Sequence, residues 1–248
     1  MDPPTKKRKT DIVLLPMSQS GKSRDGKMRT HMAVERFVYD LISKDWNLRY
    51  GMKLTKVTSD VATSGKLVKT EVRVPKNASG PFTQISGTQK FHNILLRAVG
   101  VINDKNSKTI GKGTGKYSID HKDGDPSNNR LSNLRLVRDE INSVLKSTGT
   151  SGIRKYYKKF RVDLPMYTTF KKQNLSEEMK ACGYDKKSWK LVATRAAAEA
   201  AKKRAGLAAF NQLKLIEPSI FNAYRFSGDL NDPITTFSIE QEVRLSYE

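Results

Sequence analysis

Asp120 and His121 stand side by side, and Asn142 follows twenty-one residues after the histidine. Carboxylate and amide oxygens are hard donors that suit a cation such as Mg2+ and leave room on it for waters and a substrate phosphate. Histidine is the side chain best poised to take a proton near neutral pH, with a free pKa of about 6.5. A phosphate held by a metal and a water deprotonated by His121 are the two parts that phosphodiester hydrolysis requires. An Asp-His dipeptide by itself carries little weight, and Asn128, Asn129 and Asn133 are each also ordinary turn or cap residues.

The elements around these residues can bring them together. Tyr117 and Ile119 alternate as on a half-buried strand that ends at Asp120-His121. Asp123-Gly124 and Asp125-Pro126 are turn formers. Leu134 and Leu136 mark a second short strand, and Asp139 is a good N-cap for a helix whose first turn holds Asn142. The unit reads as strand, loop, strand, helix.

With these residues in place, the run Ser118–Asn142 resembles the HNH (ββα-metal) nuclease family, in the branch of homing endonucleases and phage or virus genomes. The strand-end pair of that family falls on Asp120 and His121. Its central Asn, twelve residues after the His, falls on Asn133 ahead of Leu134-Arg135-Leu136, and its last ligand, nine residues further, on Asn142. The Asp123-Gly124-Asp125 turn and the Asn128-Asn129 pair also resemble this branch. The resemblance implies that His121 is the general base, and that Asp120 and Asn142 hold one divalent ion, Mg2+ or Mn2+. It implies that Asn133 pins the loop and orients His121, that Arg130 contacts DNA, and that His92 is a scaffold residue on the helix ahead of the motif.

The whole chain fits a nucleic-acid partner. Its 248 residues carry 46 Lys and Arg against 25 Asp and Glu, a formal charge of +21. Such an excess repels itself, and a polyanion is the economical reason for it. Residues 216–248 hold six acidic and two basic residues, leaving 44 basic and 19 acidic in positions 1–215. The polyanion is therefore expected on the first 215 residues, with 212–248 an acidic tail that meets the body or another protein. A single cysteine, Cys182, excludes a disulfide framework and a cysteine-rich zinc site within one chain. No apolar run approaches the roughly 18 residues of a membrane span, and no signal-peptide core follows the first basic cluster.

That cluster, Lys6, Lys7, Arg8 and Lys9 behind Pro3-Pro4, has two readings. One is an import signal captured by the acidic groove of a nuclear-import receptor, which places the protein in a nucleus. The other is a flexible basic arm touching phosphates. Residues 1–28 are aperiodic and read as a disordered arm. Met32, Phe37, Val38, Leu41, Ile42 and Trp46 predict a helix over 31–46. Short valine-rich runs between Met52 and Ile85 predict strands and hairpins, and Phe91–Val101 a buried helix ending near Gly100.

Beyond a polar linker at 147–151, residues 147–211 read as a second module. Ile153–Leu164 makes two strands with a basic turn, Trp189–Val192 a third, and 194–210 an Ala-rich helix, with an inserted helix at 174–182. This resembles the Apetala-type (integrase-like) DNA-binding module. The resemblance implies a sheet in the DNA major groove, with Arg154, Lys155, Lys158, Lys159 and Arg161 on phosphates or base edges. The expected fold class is α+β: a ββα-metal nuclease domain within 29–146 and a small three-stranded sheet with one helix.

Overall fold

A computed structural model describes residues 11–50, 54–74, 87–103, 105–113, 115–146, 152–164, 166–226 and 235–238. The basic cluster Lys6–Lys9 and the linker 147–151 lie outside them. The architecture is mixed α+β, with small antiparallel sheets, as the sequence leads one to expect. No helix among the described residues is long and apolar enough to cross a membrane. The chain divides into two compact units, and within the Ser118–Asn142 run the division falls at 118/119 and 136/137.

The first unit comprises residues 1–110, 119–136 and 224–235. It opens on an antiparallel pair, β1 (Ile12–Lys22) and β2 (Met28–Glu35), followed by α1 (Arg36–Tyr50). This corrects two sequence expectations. The stretch after residue 11 is a strand, not an unstructured arm, and the helix predicted over 31–46 starts only at Arg36. Met32 and Val34 are buried on alternate positions of β2, a period of two that merges in sequence with the helical spacing of Phe37, Val38 and Ile42. β3 (Thr58–Val61), β4 (Leu67–Val74) and β5 (Gly87–Lys90) form a three-stranded meander with β4 in the centre. β1 reaches this sheet through the Ser18 N–H, which donates to the Val57 carbonyl at 3.0 Å.

Next comes α2 (Phe91–Ala98), which buries Phe91, Ile94, Leu95 and Leu96 and stops before Gly100 at φ +78°. β6 (Tyr117–His121) and β7 (Leu134–Arg138) follow, β7 lying between β6 and β11 (Asn222–Arg225) in a sheet that ends on β12 (Thr235–Ser238). Tyr224 pairs with Leu136 and Arg225 with Arg135. A segment read from the sequence as part of an acidic tail thus adds a strand beside β7.

The second unit comprises residues 111–118, 137–223 and 236–248. It holds α3 (Asp139–Lys146), β8 (Ile153–Tyr156), β9 (Lys159–Asp163), α4 (Tyr167–Lys172), α5 (Glu177–Ala181), β10 (Trp189–Val192) and α6 (Arg195–Ile216). The expected helix at 174–182 is the shorter α5, capped by the Ser176 hydroxyl, and α4 ahead of it is a helix the sequence did not lead one to expect. The three predicted strands form one sheet with β9 in the middle. α6 begins at Thr194, whose hydroxyl accepts from the Ala197 N–H at 3.1 Å. Ala198 and Ala201 lie against Ile153 and Val162 of the sheet, where small side chains permit close approach. Further along α6, Ala205, Ala209, Phe210 and Leu213 share a second core with Ile141 and Val144 of α3 and Phe170 of α4. α3 therefore belongs to the core of the second unit, and the boundary expected at 146/147 is not where the packing changes.

Candidate active site

His121 is the last residue of β6, where the strand gives way to the turns of residues 122–130. That loop is held by a dense local network. The Asn133 carbonyl accepts from the Lys122 N–H at 2.8 Å. The Asn133 amide nitrogen donates to Asp123 Oδ1 at 3.0 Å and to the Asn128 carbonyl at 2.8 Å, while its Oδ1 accepts from the Asp123 N–H at 3.2 Å. Asp125 is buried, and its Oδ1 accepts from the Ser127 N–H and hydroxyl at 2.9 and 2.6 Å. Its Oδ2 takes the Arg29 guanidinium at 2.5 Å. Gly124 has φ +70°, a left-handed backbone that favours glycine.

The His121 Nε2 lies 3.2 Å from Asn129 Oδ1. The hydrogen bonds of Asn133 go to Asp123 and Asn128 instead, so its place is in fixing the loop. The His92 ring from α2 packs beside the imidazole, with centroids 5.3 Å apart and planes tilted by 55°. Burial lowers the His121 pKa below its ordinary value, and the Asn129 hydrogen bond and the carboxylates of Asp120, Asp123 and Asp125 pull in the other direction. A neutral imidazole able to accept a proton is the result.

Asp120, one residue earlier, is gripped by Arg135 of β7. Nε donates to Asp120 Oδ2 at 3.0 Å and Nη2 approaches the same oxygen at 2.9 Å. Arg135 is only 3% exposed. Sequence reasoning missed this partner because strand alternation sets Arg135 against the face of Leu134 and Leu136, whereas β7 buries residues of both faces. Asn129, 0% exposed, was also missed. Its only sequence signal is the Asn128-Asn129 doublet, which reads equally well as turn chemistry.

Asn142 lies in α3 of the second unit and is 1% exposed. Among the described residues its Oδ1 has no hydrogen-bond partner. A buried amide oxygen without a donor is costly, and an oxygen kept for a cation is in that state before the cation binds. The oxygen donors of Asp120 and of Asn142 are each of a kind that suits a hard divalent ion. Among the described residues, no group of three or more His, Cys, Asp and Glu side chains is arranged to hold a metal, so such an ion would rely on amide and water oxygens as well. Asp139 is the first residue of α3 and not a cap outside it. Its carboxylate accepts from the Gly113 N–H at 2.8 Å and from the Ser118 hydroxyl, tying the loop before β6 to the helix start.

The sheet residues separate by pleat. Arg154 pairs with Arg161, which pairs with Leu191, and Tyr156 pairs with Lys159, all on the face opposite Ile153 and Val162. Lys155 pairs with Phe160 on the pleat that packs toward α6. Lys158 sits in the turn beside Tyr157, which is 85% exposed. The Arg161 guanidinium lies 4.9 Å from the centre of the Trp189 ring and 2.8 Å from Asp163. Arg130 is exposed just ahead of the 3-10 turn Leu131–Asn133.

Residues 108–144 match the family model described as HNH endonuclease. That span covers β6, its loop, β7 and most of α3, and it supports a nuclease-type domain; HNH nucleases act on nucleic acid and generally use a divalent metal ion. Nothing among curated proteins or solved structures matches the chain.

Proposed function

We propose that this protein is a Mg2+-dependent DNA endonuclease of the HNH kind, related in type to homing endonucleases, with β8, β9 and β10 acting as an Apetala-type DNA-binding sheet. The observation that carries the reading is the imidazole of His121, held at Nε2 by Asn129 at the end of β6 inside the matched HNH span.

In the proposed reaction His121 takes a proton from water, and the water oxygen forms a new bond to phosphorus. The P–O3′ bond breaks, and the departing 3′ oxygen takes a proton from solvent. The products are a 5′-phosphate and a 3′-hydroxyl. A divalent ion held by Asp120 and Asn142 would offset charge on the phosphate and on the leaving oxygen. Arg135 fixes one oxygen of Asp120, so the other is the one proposed to meet the ion. Asn133 keeps the loop closed, and Arg130, Arg154, Lys158, Lys159 and Arg161 are proposed to grip the duplex. Lys155, on the pleat that packs toward α6, is proposed to contribute less.

The test is cleavage of duplex DNA by the purified chain with Mg2+ or Mn2+, beside His121→Ala and a chelator control. Cleavage abolished by either control supports the reading. Cleavage of RNA in preference to DNA reassigns the substrate. A second reading, a DNA-binding protein on a retained nuclease fold, draws on the double grip of Arg135 on Asp120. Tight DNA binding with no cleavage under any metal would favour it.

A further inference from the structure

Asn129 hydrogen-bonds His121, and its own surroundings fix which way its amide faces. The amide nitrogen donates to the Pro126 carbonyl at 3.0 Å and to Thr70 Oγ1 at 3.1 Å. Thr70, buried in β4, gives its single hydroxyl hydrogen to the same Pro126 carbonyl at 3.1 Å. Thr70 Oγ1 therefore has only lone pairs to offer Asn129. Turning the amide over would set its oxygen against the Pro126 oxygen, two acceptors face to face without a hydrogen between them. Oδ1 must point at His121 Nε2, 3.2 Å away.

An amide oxygen only accepts. Nε2 therefore carries the ring hydrogen of the neutral imidazole, and Nδ1 keeps the lone pair. We propose that Asn129 is a positioning residue for the reaction, locking His121 as the Nε2–H tautomer so that Nδ1 takes the proton of the attacking water. The proposal rests on the nuclease reading for its catalytic half, whereas the tautomer follows from the hydrogen bonds alone. The anchor is remote in sequence: β4 supplies Thr70, the turn supplies Pro126, and β2 clamps the same segment, where the Asn129 N–H donates to the Ala33 carbonyl at 2.9 Å. The meander and the N-terminal strand pair thus reach the base through one amide. The His92 ring limits the room in which the imidazole could turn.

The experiment uses the full chain labelled with 15N-histidine, with His121→Ala to assign the signal. A long-range proton–nitrogen spectrum, taken where the ring is neutral, reads which nitrogen bears the hydrogen. The wild type is expected to show Nε2–H. Asn129→Leu, close in size but without acceptor or donor, is expected to lose that preference. Its kcat should fall by on the order of 100-fold or more with KM little changed. Asn129→Asp keeps an oxygen before Nε2 but turns its second oxygen on the Pro126 carbonyl, so it should be less stable than the wild type yet retain the tautomer and a higher kcat than Asn129→Leu. A residue of merely structural importance would lower the melting temperature of both variants without separating them in tautomer or in kcat. Hydrogen on Nδ1 in the wild type overturns the proposal, and so does a folded Asn129→Leu that cuts at the wild-type kcat. Should Asn129→Leu fail to fold, the wild-type spectrum and Asn129→Asp decide. A wild type that binds DNA but cuts no nucleic acid refutes the nuclease reading, and the spectrum still decides the tautomer.

Discussion

Arg135 holds Asp120 by a single oxygen: Nε at 3.0 Å and Nη2 at 2.9 Å both converge on Oδ2. Two guanidinium N–H groups from a buried arginine hold that oxygen in a direction that one ammonium cannot fix. Arg135→Lys should therefore leave a folded protein with a loosened Asp120. Residues that orient a ligand typically change metal affinity or activity about 10- to 100-fold. The expected outcome is a shift of that size in the Mg2+ concentration for half-maximal cleavage, with DNA affinity in chelator unchanged. An unshifted metal titration would mean that Asp120 takes no part in holding the ion.

Much of the motif was legible because each boundary has its own local chemistry. Turn formers follow His121, the strand pattern of Leu134 and Leu136 is short but clear, and Thr194 announces α6. The N-terminal strands were not legible, because what makes them strands lies far away. Glu35 of β2 is buried, and its carboxylate accepts from the Leu131 N–H at 3.0 Å, nearly a hundred residues on. Ala33 exchanges backbone hydrogen bonds with Ser127 and Asn129. A basic, Gly/Ser-containing run gives no local hint of such partners. The partner of His121 was hidden for the same reason: the amide of Asn129 has its direction set by Thr70, fifty-nine residues earlier.

The docking of β2 on the loop after β6 predicts a stability effect at Arg29. Its Nε lies 2.5 Å from Oδ2 of the buried Asp125, and its Nη2 3.0 Å from Asp25 in the turn after β1. Arg29→Ala leaves the Asp125 carboxylate without its cation in a dry site. Loss of a hydrogen bond to a buried charged group costs roughly 1–3 kcal/mol. Urea unfolding should show a lowered midpoint, and limited proteolysis should cut the 22–28 turn faster. Asp25→Ala, at the exposed end of the same guanidinium, should do much less. Equal effects of the two variants would show that Asp125 does not anchor the turn.

The pleat of the β8–β9–β10 sheet predicts unequal roles for its cations. Lys159 and Arg161 lie on the face opposite α6, whereas Lys155 shares the inward pleat with Phe160. If the outer face meets DNA, Arg161→Ala should weaken binding and reduce the slope of log affinity against log salt by about 0.9 for one lost phosphate contact. Loss of a base-reading contact would instead relax sequence preference with little change of slope. Lys155→Ala should alter both far less. Equal losses at Lys155 and Arg161 would place the DNA on the edge of the sheet and not on its face.

Lys202 predicts how stability depends on pH. This α6 residue is 3% exposed, and its Nζ donates to the Asp163 carbonyl at 3.0 Å. Burial lowers its pKa from an ordinary 10.5 to about 8, with Asp163 opposing the shift. Below pH 8 the amine is charged in both the folded and the unfolded chain, and the cost of burying that charge is present in full. Between pH 8 and 10.5 the unfolded chain keeps a proton that the folded one releases, so stability rises with pH by an amount on the order of 3 kcal/mol. Lys190, also lowered by burial, acts in the same direction. Tyr184, raised by burial, acts in the opposite direction above its ordinary value of 10. Comparing the wild type with Lys202→Met removes both, since only Lys202 differs. The difference in urea stability between the two proteins should move in favour of the wild type from pH 7.5 to pH 9.5. Parallel pH profiles would show that Lys202 keeps an ordinary pKa and that the Asp163 carbonyl stabilises its charge far better than burial penalises it.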